Sequence, residues 1–261
     1  MTDFIKLSIS DHLGNHKKPQ SDVQLGYYLA GLIEGDGYFG YKKLEIAYHE
    51  KDISAAYSLR EHLGFGQIYK YSQNRKAVRF VISNKKGLKR VLDLVNGKFV
   101  SAIKVNQLVN KGYESWLGYK ILDATLNIDL NNHWLAGFLD ADGSIGIFIV
   151  NSKSHKHKKS VRLEIKFTQK HKLVLSLIGS IFEVKSIYKD KNNIHRLTLR
   201  GINRVIKIIN YLDNYCLQTM KYTQYTIFRR CVRYIQNKHH LQSNVLEQIA
   251  GLKRTLQNVY N

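Results

Sequence analysis

Acidic side chains are scarce in this sequence. Twenty Asp and Glu face 41 Lys and Arg, which leaves a formal charge of +21 over 261 residues. Self-repulsion on that scale works against a compact state, so the composition points to a polyanionic partner, nucleic acid ahead of an anionic membrane. Cysteine is nearly absent as well. Cys216 and Cys231 lack the spacing of a zinc site and are too few for a disulfide scaffold. They are expected as reduced, partly buried thiols. Long apolar runs are missing: the longest are pieces such as Ile147–Val150, far below the roughly 20 residues of a membrane span. The N-terminus carries Asp3 and Asp11 and has no apolar core, so it resembles neither a secretory nor a transit peptide. The single proline, Pro19, precedes the first strongly periodic segment, and residues 1–20 read as a loosely ordered arm.

What the sequence does contain is a repeat. Leu29-Ala-Gly-Leu-Ile-Glu-Gly-Asp-Gly37 returns as Leu135-Ala-Gly-Phe-Leu-Asp-Ala-Asp-Gly143, 106 positions later. Leu44-Glu-Ile-Ala-Tyr-His-Glu-Lys51 aligns with Leu163-Glu-Ile-Lys-Phe-Thr-Gln-Lys170 at an offset of 119, the extra residues falling around Asn151–Ser160. Leu92 pairs with Ile209 and Lys104 with Lys221, both at 117. Four blocks in one order indicate a duplicated unit, and the chain divides into an arm (1–20), a first half (21–122), a connector (123–131) and a second half (132–261).

Each half reads the same way. The motif ends a helix and an extended segment follows. Val161, Leu163, Ile165 and Phe167 alternate with Arg162, Glu164, Lys166 and Thr168, the period of a strand with one apolar face. Helices are expected at 53–62 and 173–181, and strand pairs at 67–71 with 78–83 and at 186–189 with 195–200. Closing helices are expected at 86–95, 101–110, 203–212 and 218–233. The order αββαββα, with hairpins and helices segregated, is an α+β unit. A last amphipathic helix over 244–260 carries Val245, Ile249, Leu252 and Leu256 on one stripe, with a capping box from Asn244 to Glu247.

Within the motif, Gly31 and Gly35, like Gly137 and Ala141, lie one turn apart. Such a small-residue seam lets two helices approach closely despite the roughly 1 kcal/mol cost of helical glycine. Gly37 and Gly143 suit the left-handed position that ends a helix. Asp36 and Asp142 then sit together at helix C-termini, where free carbonyls and partial negative charge already gather. A divalent cation relieves both the repulsion and the unpaired oxygens, and carboxylate plus carbonyl is a hard donor set for Mg²⁺ or Mn²⁺.

The two nine-residue blocks resemble the paired signature motifs of the LAGLIDADG homing endonucleases in their single-chain, two-motif form. Glu34, Gly35, Phe138 and Leu139 are the departures, and both copies keep the eighth-position carboxylate. The resemblance extends over roughly residues 24–235. It implies two αββαββα units packed through their motif helices, with the antiparallel sheets forming a DNA-binding saddle. It implies a pseudo-twofold monomer that makes a double-strand break at a long asymmetric site by metal-assisted phosphodiester hydrolysis, promoting intron homing. Asp36 and Asp142, with the carbonyls of Gly35 and Ala141, would hold Mg²⁺, and Mn²⁺ or Ca²⁺ could take the same sites. By repeat position the accompanying basic and polar residues are Lys104 and Lys221, and Glu50 and Gln169. Glu34 and Asp140 are expected to pack or cap helices.

The polar strand faces are the expected DNA surface, since a two-stranded ribbon fits the major groove. In the first half the candidates are Tyr41, Lys43, Gln67, Tyr69, Arg75 and Arg79. In the second they are Arg162, Lys166, Lys189, His195, Arg196, Thr198 and Arg200, with the basic tip Lys153–Lys159 beside the phosphates. Host intron RNA is the alternative partner, in an RNA maturase assisting splicing of a group I intron. A noncatalytic transcription regulator on the same fold is a weaker third reading, because nothing resembles an appended helix-turn-helix. Abundant Asn, Lys, Ile and Tyr fit an AT-rich organelle genome, mitochondrial or, alternatively, chloroplast.

Overall fold

A computed structural model describes residues 8–14, 16–71, 75–153 and 158–261. The first unit runs α1 (Asp22–Asp36), β1 (Gly37–Gly40), β2 (Lys43–His49), α2 (Ile53–Leu63), β3 (Gln67–Lys70), β4 (Ala77–Ile82), α3 (Lys85–Val95) and α4 (Ala102–Asn110), followed by the short α5 (Tyr113–Leu117). The second runs α6 (Trp134–Asp142), β5 (Gly143–Asn151), β6 (Lys159–Gln169), α7 (Lys172–Ile181), β7 (Tyr188–Lys189), β8 (His195–Arg200), α8 (Ile202–Asn214) and α9 (Lys221–Gln236), then α10 (Ser243–Gln257). Both sheets are four-stranded and antiparallel, in the orders β1-β2-β4-β3 and β5-β6-β8-β7. The fold is therefore α+β, two αββαββα units. Among the described residues no helix is long and apolar enough to cross a membrane.

Strand alternation builds each core. Leu44, Ile46 and Tyr48 of β2 and Val78, Phe80 and Ile82 of β4 point inward and are buried, while Ala47, Arg79 and Tyr69 form a cross-strand row on the outside. In the second unit Leu163, Ile165, Phe167, Leu197 and Leu199 are buried, and Lys166 and Thr198 pair on the outer face. Helices take their starts from local caps. The Ser21 hydroxyl accepts from the Gln24 backbone amide at α1, and the Asn84 side-chain Oδ1 accepts from the Gly87 backbone amide at α3.

The units meet along α1 and α6, buried over most of their length. A Cβ on Gly31 would lie 1.9 Å from the Trp134 carbonyl oxygen, and one on Gly137 would lie 2.0 Å from that of Tyr28. The two backbones touch at these points, and only glycine allows it.

Several expectations are corrected. Gly37 and Gly143 are not left-handed: their φ, ψ values are −88°, 151° and −88°, 156°. Each helix passes straight into a strand that folds back on its last turn. Glycine is needed there because a Cβ would strike Ile33 at 2.6 Å or Leu139 at 2.6 Å. The arm lacks regular structure over its described residues, yet it is pinned to α8 and α9. The Ile9 amide donates to Gln236, the Arg229 guanidinium to the carbonyls of Ser10 and His12, and the Asn210 amide to the Ser8 carbonyl. The last helix begins at Ser243, ahead of Asn244, so the expected capping box does not form, although Val245, Ile249 and Leu256 are buried as the stripe requires. Most of the basic tip, residues 154–157, lies outside the described residues. Both cysteines are free and buried.

Candidate metal centre and nucleic-acid interface

Helices α1 and α6 end together. A Cβ on Gly35 would lie 2.4 Å from the Ala141 Cβ and 2.7 Å from Asp142 Oδ2, so the last turn of one helix rests on the carboxylate of the other. Asp36 is open to solvent but recessed between the units, and Asp142 is partly buried. Burial raises both carboxyls. Asp142 is pushed up to about 7, first by desolvation and then by the charge of Asp36, with Lys221, Lys104 and the Gln169 amide pulling the other way. Gln169 Nε2 donates to Asp142 Oδ2.

The two lysines stand on either side. Lys104 Nζ donates to the Gly37 carbonyl at 2.5 Å. Lys221 Nζ donates to the carbonyls of Leu139, Asp140 and Ala141 at 3.1, 2.6 and 2.8 Å, capping the C-terminus of α6. Burial depresses both ammonium groups and the surrounding carboxylates oppose that shift. What places the lysines is the other acid of each motif. Glu34 accepts from the amides of Val100 and Ser101 and from the Ser101 hydroxyl, at the start of α4. Asp140 accepts from the Gln218 amide at 2.7 Å, Thr219 Oγ1 at 2.5 Å and the Tyr28 hydroxyl at 2.8 Å, at the start of α9. Each capping acid fixes the helix whose first turn carries the lysine.

Lys104 and Gln169 are brought together with Asp142. They share a cleft of about 640 Å³ whose lining includes Ser101, Gln107 and His171. Glu50 is not brought there. It lies exposed in a 3-10 turn and lines a separate depression with Lys70, Tyr71 and Arg75. Strand register explains the difference. Gly37 pairs with Ile46, and its counterpart Gly143 pairs with Phe167, so the counterpart of Gln169 is Tyr48. Counted from the register-matched Tyr48 and Gln169, four residues precede the next helix in the first unit and two in the second, and the 3-10 turn absorbs the difference. A slip of two keeps every strand residue on the same face, so alternation alone could not detect it.

The chain can now be placed among known proteins. A family model described as LAGLIDADG endonuclease matches residues 135–232. A 37.2 kDa protein of cox1 intron 2 from Schizosaccharomyces pombe is 38% identical over 247 residues, covering 92% of this chain and 75% of the relative. The chain belongs to the LAGLIDADG endonuclease family. An intron-encoded DNA endonuclease aI3 of Saccharomyces cerevisiae is 23% identical, with 82% of this chain and 65% of that protein covered. Among solved structures, the LAGLIDADG meganuclease I-CpaMI bound to uncleaved DNA superposes with a TM-score of 0.68 at 19% identity, covering 88% of this chain and 98% of that one. The LAGLIDADG fold thus accounts for the helix pair and for the two sheets that flank it.

The outer sheet faces of this LAGLIDADG chain hold most of the expected contact residues. Tyr41, Gln67, Tyr69, Arg75, Arg162, Lys189 and Arg200 are exposed, and Lys43, Arg79, Lys166, Arg196 and Thr198 are half-buried. Several are already paired: Lys43 with Glu45 at 2.8 Å, Arg196 with Asp190 at 2.7 Å and Arg200 with Glu164 at 2.7 Å. Arg79 lies over the rings of Tyr69 and Tyr71. His195 departs from the row. It pairs with Gln169 and Lys189, shares the parity of Leu197 and Leu199, and its Nδ1 is bonded to the Lys170 carbonyl at 2.9 Å, so its partner Lys189 departs from the row with it. The alternation of Arg196, Thr198 and Arg200 already implied this. Sequence reasoning also passed over Tyr48, Asp52 and Tyr28. Parity from Leu44 and Ile46 pointed to Tyr48, whereas no local signal marks Asp52.

Proposed function

We propose that the chain is a site-specific double-strand DNA endonuclease acting as a pseudo-twofold monomer, with halves over 21–122 and 132–261 joined by 123–131. The observation that carries this reading is the meeting of two carboxylate-bearing helix ends, Asp36 and Asp142, at the junction of two basic sheet faces. The donor set suits a hard cation such as Mg²⁺, which takes one or two protein carboxylates and keeps its waters. Asp36, Asp142 and the Gly35 carbonyl would hold it, while the Ala141 carbonyl is shared with Lys221. Such an ion supplies activated water and charge stabilisation for phosphodiester hydrolysis.

The chain's own residues prepare the site. Gln169 orients the Asp142 carboxylate. Lys104 and Lys221 bring positive charge to where phosphoryl oxygens gather negative charge in the transition state. The outer sheet faces track the backbone and read groove edges, Arg162, Lys166, Arg196 and Arg200 in one half and Lys43, Gln67 and Arg79 in the other. Their different chemistry implies an asymmetric target. Intron names among the relatives and the organelle-like composition support intron homing in a mitochondrion.

Asp36→Asn and Asp142→Asn should each abolish Mg²⁺-dependent double-strand cleavage of a duplex selected from a randomised library, with binding retained by gel shift. Full cleavage by either variant would remove this assignment. One relative favours a second reading: the intron-encoded RNA maturase bI4 of Saccharomyces cerevisiae is 30% identical over 182 residues, although this chain covers only 26% of it. Adding the protein to the host intron transcript tests that reading, and an unchanged splicing rate would reject it.

A further inference from the structure

The two sides of the helix pair are flanked differently, although the Asp36 carboxylate itself is exposed and that of Asp142 only partly so. On the Asp142 side the cleft is lined, among others, by Ile103, Gln107, Lys170 and His171. Internal symmetry assigns each a counterpart on the Asp36 side. Met220 and Gln224 follow from the lysine-bearing helices, His49 from strand register, and Asp52 from its place, like His171, at the N-cap of the following helix. All four counterparts are engaged by, or bonded to a residue engaged by, the C-terminal segment. The Tyr260 hydroxyl donates to Asp52 Oδ2 at 3.0 Å, and its ring meets that of His49 edge-on at 5.0 Å. Asp52 Oδ1 accepts the Met220 amide at 2.7 Å, and Gln224 Nε2 donates to the Leu256 carbonyl at 3.4 Å. Lys51 Nζ holds the carbonyls of Val259 and Asn261.

We propose that Tyr260 and its neighbours set the order of strand cleavage: the segment lies along the flank of the Asp36 side, so the strand served by the Asp142 side, whose flank it leaves clear, is cut first. This inference rests on the endonuclease reading. The segment is anchored by side-chain bonds to Asp52 and Lys51, so the duplex backbone can displace it without unfolding α10. The asymmetry is absent from the motifs themselves, since both lysines and both aspartates are present. Asp52 acts as a positioning residue, because the same carboxylate holds the first turn of α9, which carries Lys221.

The test uses the library-selected duplex, with both strands end-labelled and cleavage followed strand by strand. The full chain should accumulate a nicked intermediate in one strand. Tyr260→Ala and removal of residues 259–261 should speed the lagging strand about tenfold, the weight of one hydrogen bond to a charged group, and leave the leading strand unchanged. Tyr260→Phe keeps the ring on His49 and loses only the hydroxyl, so its effect should be intermediate. Hydrogen exchange over 256–261 should quicken when the duplex binds. Equal change in both strands, unchanged strand order, or undiminished protection of the segment on DNA would overturn the proposal. Cleavage with unaltered order would remove this inference alone, and no cleavage by any form would remove the endonuclease reading with it.

Discussion

Replacing Asp142 by Asn should abolish cleavage and at the same time stabilise the metal-free protein. The carboxyl rises from 3.8 to about 7 on folding, with burial the larger cause and Asp36 the second. Between those values the folded state keeps a proton that the unfolded chain has released. Stability therefore falls as pH rises through the window and is lowest above about 7. At about 1.36 kcal/mol per pH unit the full shift corresponds to about 4 kcal/mol. Halving this for partial solvent access leaves about 2 kcal/mol. For a chain of this size each kcal/mol moves the melting temperature by about 2–4 °C, so Asp142→Asn should melt about 4–8 °C higher at pH 8 in EDTA. The Asn side-chain oxygen can still accept from Gln169, so that bond is kept. The advantage should shrink toward pH 5. Mg²⁺ should narrow the gap at pH 8 by binding the folded wild type. Melts of both proteins by circular dichroism, at both pH values with and without EDTA, decide the matter. A variant that melts at or below the wild type at pH 8 in EDTA would refute the argument that the site is strained for want of a cation.

Three further outcomes are expected. Gly137→Ala places a Cβ 2.0 Å from the Tyr28 carbonyl oxygen, and should cost about 3 kcal/mol of stability by forcing the motif helices apart; an unchanged melting temperature would contradict the close seam. Glu34→Ala leaves the amides of Val100 and Ser101 without their acceptor, and should lower stability by about 2 kcal/mol. It should also slow cleavage while duplex binding is retained, which a gel shift and a nicking assay separate. Arg162→Ala, on the exposed outer face of β6, should make the slope of log binding constant against log salt shallower by about 1 if it contacts one phosphate. An unchanged slope would take Arg162 off the interface.

The repeated block, with carboxylates at Asp36 and Asp142 and small residues one turn apart, determined by itself that two helix ends must meet. Period-two alternation in β6 and β8 determined which face carries Arg and Lys. Both are local properties, because helical spacing and strand parity do not depend on distant residues. The tertiary structure decided what depends on register and on remote partners. A two-residue insertion moved the place opposite Gln169 from Glu50 to Tyr48, invisible to alternation because parity is conserved. Gly37 and Gly143 are required by the fold-back of a strand on Ile33 and Leu139 rather than by a left-handed angle. Asp52, Met220 and Tyr260 are joined only by folding. Their contact depends on the packing of both units and α10, and no pattern along the chain encodes it.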